Sequence, residues 1–432
     1  MTDIYEIAEY TLEALKKSGA DAAQCIVSKS KKDELNVDGG KFSLMRSTFN
    51  TSISMKAIKD GKKGVTSINQ ATKEAIDEAA DQCISAAQSS VPDEAEQIAP
   101  FTAKAEYKTG VFEPELDKLF DRIEEFMSQT AAEYPKIILE QLISDYEHSE
   151  KLYMNTNGTS LKYEHGEYSF NTMFSAHEGE KASSFNGYFC ALDSLDKPFM
   201  EAGMQRQLLD ESEKQLDTVS PSEKFVGRVI YSPDCFNELL QTALENFASS
   251  GVLIDGTSPW KDALNTKVAS EKLNLRSVPL DGRTVVGQRF TSDGYPVEDM
   301  DIIIDGVLKT FILSQYGANK TGFPRSLNSG NNLEVLPGDK ALEEMISGID
   351  RGLIVNRFSG GQPSSNGDFS GVAKNSFLIE NGKVVSAVSE TMISGNIIDM
   401  LNNIVAVSKE QTTDGLSFMP WAEFDGVTVS GK

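Results

Sequence analysis

Metal binding and proton transfer depend most often on histidine, and the chain has only three: His148, His165 and His177. A zinc site usually needs three or four Cys, His or carboxylate ligands, often with two of them close together on one helix. None of the three histidines has a second histidine four or five residues further on. His177 lies in a polar, turn-like stretch, which is typical of a solvated hairpin tip. A metal site formed by His165 and His177 across a hairpin is the less favoured interpretation.

The four cysteines are far apart in the chain and include no Cys-x-x-Cys pair; they are Cys25, Cys83, Cys190 and Cys235. In a cytosolic protein this pattern predicts reduced, mostly buried thiols, and a disulfide framework is the poor alternative. A stand-alone hydrolase built around Cys190 or His177 is one hypothesis that the residue types leave open.

One glycine-flanked serine lies near a familiar nucleophile motif. The segment Gly367-Asp368-Phe369-Ser370-Gly371 has its serine one position away from the centre of Gly-x-Ser-x-Gly. The glycine-rich residues before it lack the Lys-Ser/Thr ending of a phosphate loop. We therefore expect these five residues to form a loop, either lining a substrate groove or, as the favoured interpretation, making a turn that leads into the next strand.

Charge is the strongest compositional feature. The chain has 41 Lys and Arg against 65 Asp and Glu, a formal net charge of −24. Such a chain repels phosphate backbones and anionic lipid, which argues against nucleic acid and membrane as partners. No apolar run approaches the roughly 20 residues that span a bilayer. The first residues lack the basic and apolar regions of a secretory signal, so a cytoplasmic location is expected.

The first half of the chain reads as two α+β units. The pattern predicts a helix capped by Thr2 or Asp3 and ended by Gly19, strands at 22–27, 49–58 and 64–68, and a helix at 71–87. Residues 1–88 are predicted as an N-terminal α+β domain and 89–112 as a linker. A helix at 114–132, a strand at 136–146, a turn at 155–158 and a charged helix near 197–215 indicate a central α+β domain over 113–218.

Residues 219–432 are predicted as a β-rich C-terminal domain. It begins at a Ser220-Pro221-Ser222-Glu223 boundary with a strand at 225–231 and a helix at 233–249. Asp305-Gly306 and Asn381-Gly382 each separate two apolar runs, which is typical of tight type I′ hairpins. The predicted fold class is therefore α+β, with N-terminal and central α+β units followed by a β-rich domain.

Five segments in this C-terminal domain together resemble the TldD/PmbA family, also called modulator-of-gyrase proteins. They are Asp305-Gly306-Val307-Leu308, Gly367-Asp368-Phe369-Ser370-Gly371, Ile379-Glu380-Asn381-Gly382, Glu390-Thr391-Met392-Ile393-Ser394-Gly395-Asn396 and Asp399-Met400-Leu401-Asn402-Asn403-Ile404. Their order matches the family's C-terminal domain, and the earlier units match its other domains. The resemblance covers nearly the whole chain.

The resemblance implies a zinc site that this chain lacks. TldD-like subunits resemble zinc metallopeptidases with a His-Glu-x-x-x-His helix and a later Cys ligand. In this chain Gln241 and Asn246 stand where the two histidines would be, and Thr242 stands where the glutamate would be. No cysteine follows Cys235. Amides are poor zinc ligands and threonine is not a general base near pH 7, so no catalytic or metal-binding residue is expected here.

The pattern is similar to the PmbA/TldE branch. The resemblance implies a non-catalytic subunit of a metallopeptidase complex that cleaves small or unfolded peptides, with zinc held by a TldD-like partner. The alternative that stays open is a peptide-binding or interaction module that self-associates as a homodimer without enzymatic activity. In either case an extended peptide added to a strand edge is the simplest mode of binding.

Overall fold

The computed structural model describes residues 1–221, 223–389 and 391–431. Ser222 of the expected domain boundary and Glu390 of the family-like segments lie outside these residues. The elements of the first half are helices α1 (Ile4–Lys17), α2 (Lys73–Ser89), α3 (Leu116–Glu133) and α4 (Gln205–Lys214), and strands β1 (Ala22–Asp38), β2 (Lys41–Lys59), β3 (Lys62–Ile68), β4 (Lys104–Gly110), β5 (Ile137–Asn155), β6 (Ser160–Glu178), β7 (Lys181–Ala182), β8 (Asn186–Leu192) and β9 (Thr218–Val219).

Strands β1 to β8 form one sheet that spans both predicted N-terminal units. Among the described residues its order is β3-β2-β1-β5-β6-β4, with β7 and β8 also paired to β6. β1 pairs antiparallel with β5 along its length, which links the first unit to the second. Helices α1 and α2 cover one apolar cluster of this sheet and α3 covers another.

The elements of the second half are helices α5 (Pro233–Phe247), α6 (Ser250–Ile254), α7 (Gln315–Thr321), α8 (Leu342–Ser347) and α9 (Ile397–Asn402), and strands β10 (Phe225–Tyr231), β11 (Leu275–Ser277), β12 (Met300–Ile304), β13 (Val307–Leu308), β14 (Leu333–Val335), β15 (Arg351–Val355), β16 (Arg357–Gly360), β17 (Asp368–Lys374), β18 (Ser376–Glu380), β19 (Lys383–Val388), β20 (Met392–Asn396), β21 (Ile404–Thr413) and β22 (Phe418–Ser430). The β-rich C-terminal domain is confirmed.

In the part of the chain that the structure describes, β9 to β22 form a second sheet. Its main order is β13-β12-β11-β14-β22-β10-β15-β18-β19-β9. A branch leaves β22 through β20 and β17 and ends at β16. The largest apolar cluster of the molecule lies between this sheet and α5.

Several predictions from local sequence signals are confirmed by the structure. Asp3 caps α1 by accepting hydrogen bonds from the backbone N–H groups of Tyr5 and Glu6. At the β12–β13 hairpin both turn residues have positive φ, 49° at Asp305 and 73° at Gly306. The turn between β18 and β19 has the same conformation, as expected for type I′ connections.

Other expectations need correction. The predicted linker 89–112 contains β4, which pairs in parallel with β6. β1 and β5 extend well beyond their predicted ends, to Asp38 and Asn155, because neighbouring strands on both sides satisfy their backbone groups. The charged helix near 197–215 is shorter than predicted and begins at Gln205. The domain boundaries stay a prediction. No helix of the described residues combines the length and apolar character that crossing a bilayer requires.

Candidate functional site

Helix α5 is positioned by its own sequence and by the sheet beneath it. Ser232 is the N-cap and Pro233 occupies the first turn, where a missing N–H costs nothing. The apolar residues recur every three or four positions, so they form one face that packs on the sheet; they include Phe236, Leu240, Ala243 and Phe247. The opposite face of α5 is polar and lies against three cavities.

The three residues expected in place of a zinc motif, Gln241, Thr242 and Asn246, do not line one cavity. Gln241 lines a cavity of about 620 Å³, whereas Thr242 lines a different cavity of about 270 Å³. Asn246 lines neither. The Thr242 hydroxyl donates to the Glu238 carbonyl oxygen of its own helix at 2.8 Å. This arrangement does not fit a zinc ion, because its side chains are amides and a hydroxyl that face different spaces.

Four of the five candidate groove residues, 368–371, lie on a strand rather than in a loop, and Gly367 lies in the turn before it. Asp368 begins β17, which lies between β16 and β20. Of the five residues, only Phe369 lines a cavity, the one of about 270 Å³ that also contains Thr242. Gly367 is buried against Phe247, and Ser370 is exposed. The expectation of a loop was wrong, because the pairing partners of this short segment lie elsewhere in the chain.

Asp368 is held by its neighbours instead of facing the cavity. Its carboxylate accepts hydrogen bonds from Asn366 Nδ2 and Asn396 Nδ2, both at 2.9 Å. The Asn396 and Asn366 side chains lower the pKa of Asp368. The ionised Asp368 carboxylate therefore stabilises the start of β17.

The histidines offer no shared site. His165 and His177 both lie on β6, twelve residues apart, so at about 3.3 Å per residue they are separated by roughly 40 Å. The hypothesis of a metal between them across a hairpin is wrong. His177 is exposed and hydrogen-bonds to Ser175. His165 is buried, with Nδ1 2.8 Å from Thr109 Oγ1. Within the described residues, no group of three or more His, Cys, Asp or Glu side chains could hold a metal.

The four cysteines are buried and unpaired by disulfides, as predicted. Burial raises the pKa of the Cys190 thiol to about 12, with the charge of Asp414 as a second cause. A thiol with this pKa is protonated near neutral pH and is a poor nucleophile. The geometry therefore gives no support to a hydrolase centred on Cys190.

The sequence did not reveal a third cavity, of about 500 Å³, at the start of α5. We call it the acidic cavity and define it by its four charged side chains and one of its amides: Asp234, Glu238, Arg357, Asp414 and Asn356. Burial, followed by the charge of Asp414, raises the pKa of Asp234 to about 6. Burial also raises the pKa of Glu238. Both side chains are exposed, so water in the cavity screens their charges.

Asn356 connects the acidic cavity to the half-buried carboxylate of Glu211. Its Nδ2 donates to Glu211 Oε2 at 2.6 Å, and Gln207 Nε2 donates to Glu211 Oε1 at 2.8 Å. Burial raises the pKa of Glu211 to about 7. Glu211 and Gln207 lie on α4, whereas Asn356 lies just before β16, 145 residues beyond Glu211. No local pattern could have placed them together.

Known proteins resemble the chain over both sheets. Residues 224–431 match the PmbA/TldA metallopeptidase C-terminal domain and residues 23–87 match the PmbA/TldA metallopeptidase domain 1. Metalloprotease PmbA of Escherichia coli O157:H7 is 32% identical over 155 residues, 35% of this chain and 34% of that protein. A zinc metalloprotease TldD homolog of Saccharolobus solfataricus is 28% identical over 195 residues, 42% of this chain and 44% of that protein.

The chain thus spans between about a third and under half of the length of these two curated relatives. The crystal structure of TldE from Thermococcus kodakarensis matches with a TM-score of 0.83 and 22% identity, covering 98% of this chain and 100% of that one, a likeness of fold. The matched domains, the relatives and the shared fold agree. The chain belongs to the TldD/PmbA family of metallopeptidase-like proteins.

Proposed function

We propose that the chain is a cytoplasmic, non-catalytic subunit of the PmbA/TldE type, which pairs with a zinc-bearing, TldD-like peptidase subunit and helps to hold its peptide substrates. The single observation that carries the proposal is the polar face of α5. Gln241, Thr242 and Asn246 occupy the positions of the motif on a well-formed helix, yet they face different spaces and supply no zinc ligand or general base.

A strand edge next to α5 supports a role in holding peptide. Among the described residues β16 has one neighbour in the sheet, β17, so its other edge is unpaired. The cavity of about 270 Å³ lies between this strand and α5, with Phe358 on one side and Leu239 on the other. An extended peptide can add to such an edge through main-chain hydrogen bonds while a side chain enters the adjoining pocket.

Reconstitution with a TldD-like subunit from the same genome tests the proposal. We expect a defined complex by light scattering, zinc in the partner, and cleavage of unstructured peptides that a chelator abolishes. The chain alone should show no cleavage. As a control, replacing the glutamate of the partner's His-Glu-x-x-x-His motif with glutamine should remove activity and leave the complex intact.

Two results would contradict the proposal. Chelator-sensitive cleavage by the chain alone would show that it carries its own site. A homodimer that does not bind the TldD-like subunit would favour the alternative, a self-associated peptide-binding module. Peptides N-methylated at alternate backbone positions test the strand edge separately, since one methylation register should abolish binding and the other should not.

A further inference from the structure

The outer edge of β2 is unpaired over most of the strand. β3 pairs with β2 only from Ile53 onward, and among the described residues no strand lies beside residues 41–52 on that side. These twelve residues span about 40 Å at roughly 3.3 Å per residue. They therefore present free backbone N–H and C=O groups that another strand can join.

The chain protects a neighbouring edge and leaves this one open. At the start of β3, Pro92 forms an isolated bridge with Lys62, and the Asp93 N–H donates to the Gly61 carbonyl oxygen at 3.0 Å. Proline at an edge stops further pairing because it has no N–H group. Residues 41–52 contain neither proline nor glycine. Their pairing with β1 has no bulge between residues 44 and 52, so this stretch is a regular strand.

Two large apolar side chains are exposed on this edge. Met45 is 76% exposed and Phe49 is 73% exposed. They lie four residues apart, so the alternation of a strand places both on one face of the sheet. A regular edge strand with exposed apolar side chains is a template for pairing with another chain.

The charge of this edge differs from that of the whole chain. Residues 41–52 carry two cations, Lys41 and Arg46, and no carboxylate, whereas the formal net charge of the chain is −24. Arg46 is paired with Glu34 on β1, with Nη2 3.0 Å from Oε1. Two copies of an acidic chain repel each other, and that repulsion is weakest where neither surface carries carboxylates. The β2 edge is such a surface.

The sequence of the edge complements itself around Ser47. In an antiparallel pair of two copies related by a two-fold axis, each contact occurs twice. If Ser47 lies opposite its own copy, Met45 lies opposite Phe49 and Arg46 lies opposite Thr48. Two apolar cross-strand pairs then form on one face, and no like charges lie directly opposite each other. An axis at Arg46 instead would set two arginines opposite each other.

We propose that the β2 edge pairs with the same edge of a second copy of this chain, antiparallel and centred on Ser47, so that the first sheets of the two copies join. Residues 44–50 of both copies then pair inside the stretch that has no bulge and does not reach β3. This pairing is independent of the subunit role proposed above, which concerns α5 and the β16 edge.

Sedimentation equilibrium of the full chain over a range of concentrations tests the pairing. The test variant is Met45→Glu/Phe49→Glu. The control, Val65→Glu/Val91→Glu, adds the same charges at exposed apolar residues outside the unpaired edge. We expect the wild type and the control to dimerise, and the dissociation constant of the test variant to rise at least tenfold. Circular dichroism shows whether each variant is folded.

Cysteine variants test the register and keep the edge uncharged. Ser47→Cys should form an intermolecular disulfide under mild oxidation, because the axis places this residue opposite its own copy. Ser43→Cys is the matched control, since the two copies of this position would lie about 26 Å apart at roughly 3.3 Å per residue. The four native cysteines are buried, so they should add little to the crosslinking. These variants decide the question even if the charged variant does not fold.

A monomeric wild type, or a folded test variant that dimerises as the wild type does, would overturn the pairing. Equal crosslinking through positions 47 and 43 would overturn the register and the two-fold arrangement with it. A wild type that is monomeric alone, with a test variant that no longer binds the TldD-like subunit, would assign the edge to that subunit. The proposal would then be wrong, while the proposed function would stand.

Discussion

The two faces of α5 differ in how closely the protein packs around their side chains. The buried face is saturated with contacts, as at Phe247, which is fully buried and packs on Trp260 with ring centroids 5.1 Å apart. The polar face has carboxylates without partners, and its Gln241 amide and Thr242 hydroxyl face separate cavities. The buried face fixes the position of the helix, so the polar face can change its chemistry without moving it.

The largest effect is expected on the buried face. Phe247→Ala should lower the free energy of unfolding by about 3–5 kcal/mol, since it removes a buried ring and leaves a cavity. Denaturant titration measures the change. Asn246→Ala, one residue away and half-buried, is the matched control and should cost less than about 1 kcal/mol. Similar losses from both substitutions would mean that the two faces do not differ as described.

The second largest effect on stability is expected at Glu211, whose carboxylate lies behind the acidic cavity. Because the pKa of Glu211 is about 7 when folded and near 4.5 otherwise, wild-type stability is lost as pH rises through this window. Glu211→Gln removes that loss, so it should be more stable than wild type by on the order of 2–3 kcal/mol at pH 8. Below pH 4 the two should be equal.

Thermal unfolding from pH 4 to pH 8 measures this difference. The control is Glu201→Gln, which changes an exposed carboxylate near the same helix and should follow the wild-type curve. A Glu211→Gln variant that is less stable at high pH would mean that the carboxylate is stabilised by its partners when charged.

An intermediate effect on stability is expected at Gly367, where the turn before β17 contacts α5. Gly367 has φ 92°, and a Cβ there would lie 3.0 Å from Phe247 Cζ. Gly367→Ala should therefore lower stability by about 1–3 kcal/mol. Gly361→Ala is the matched control, since a Cβ at Gly361 meets nothing within 4 Å. Equal stability of the two variants would remove the strain argument.

The smallest expected effect lies on the polar face itself. The raised pKa of Asp234 means that its ionisation opposes folding as pH rises from about 4 to about 6. Asp234→Asn should gain stability over wild type across this window, by less than about 1 kcal/mol because cavity water screens the charge. NMR titration of the Asp234 carboxylate, with exposed Asp262 for comparison, measures the cause directly. A midpoint near 3.8 would contradict the raised pKa of Asp234.

Local chemistry explains what the sequence predicted well. The cap at Asp3, the Asp305-Gly306 hairpin and β10 depend on neighbouring residues, and all were expected. The polar second half of β1, from Ser28 to Asp38, was not expected. It is fixed by pairing with β2 and β5 rather than by apolar alternation.

The candidate site likewise has parts that the local sequence predicts and parts that it does not. The position of α5 followed from local residues. The degenerate motif on it, implied by the family resemblance, stays a prediction. The acidic cavity did not follow from local residues, because Asp234, Asn356 and Asp414 become neighbours only through the second sheet. The strand over 368–371 was missed for the same reason, since its partners lie on β16 and β20, and the groove there stays a prediction.

The place of β22 in the second sheet sets the order in which the molecule can assemble. This strand comes after every other strand of its sheet along the chain, yet it pairs with β10, β14, β20 and β21. Its pairing with β10 joins Phe225 to Val429. Such distant pairing is slow, so α5 must wait for nearly 200 further residues before its sheet closes beneath it. During synthesis on the ribosome, the apolar face of α5 is therefore exposed long after the first sheet can form, and we expect this interval to be the molecule's most aggregation-sensitive stage.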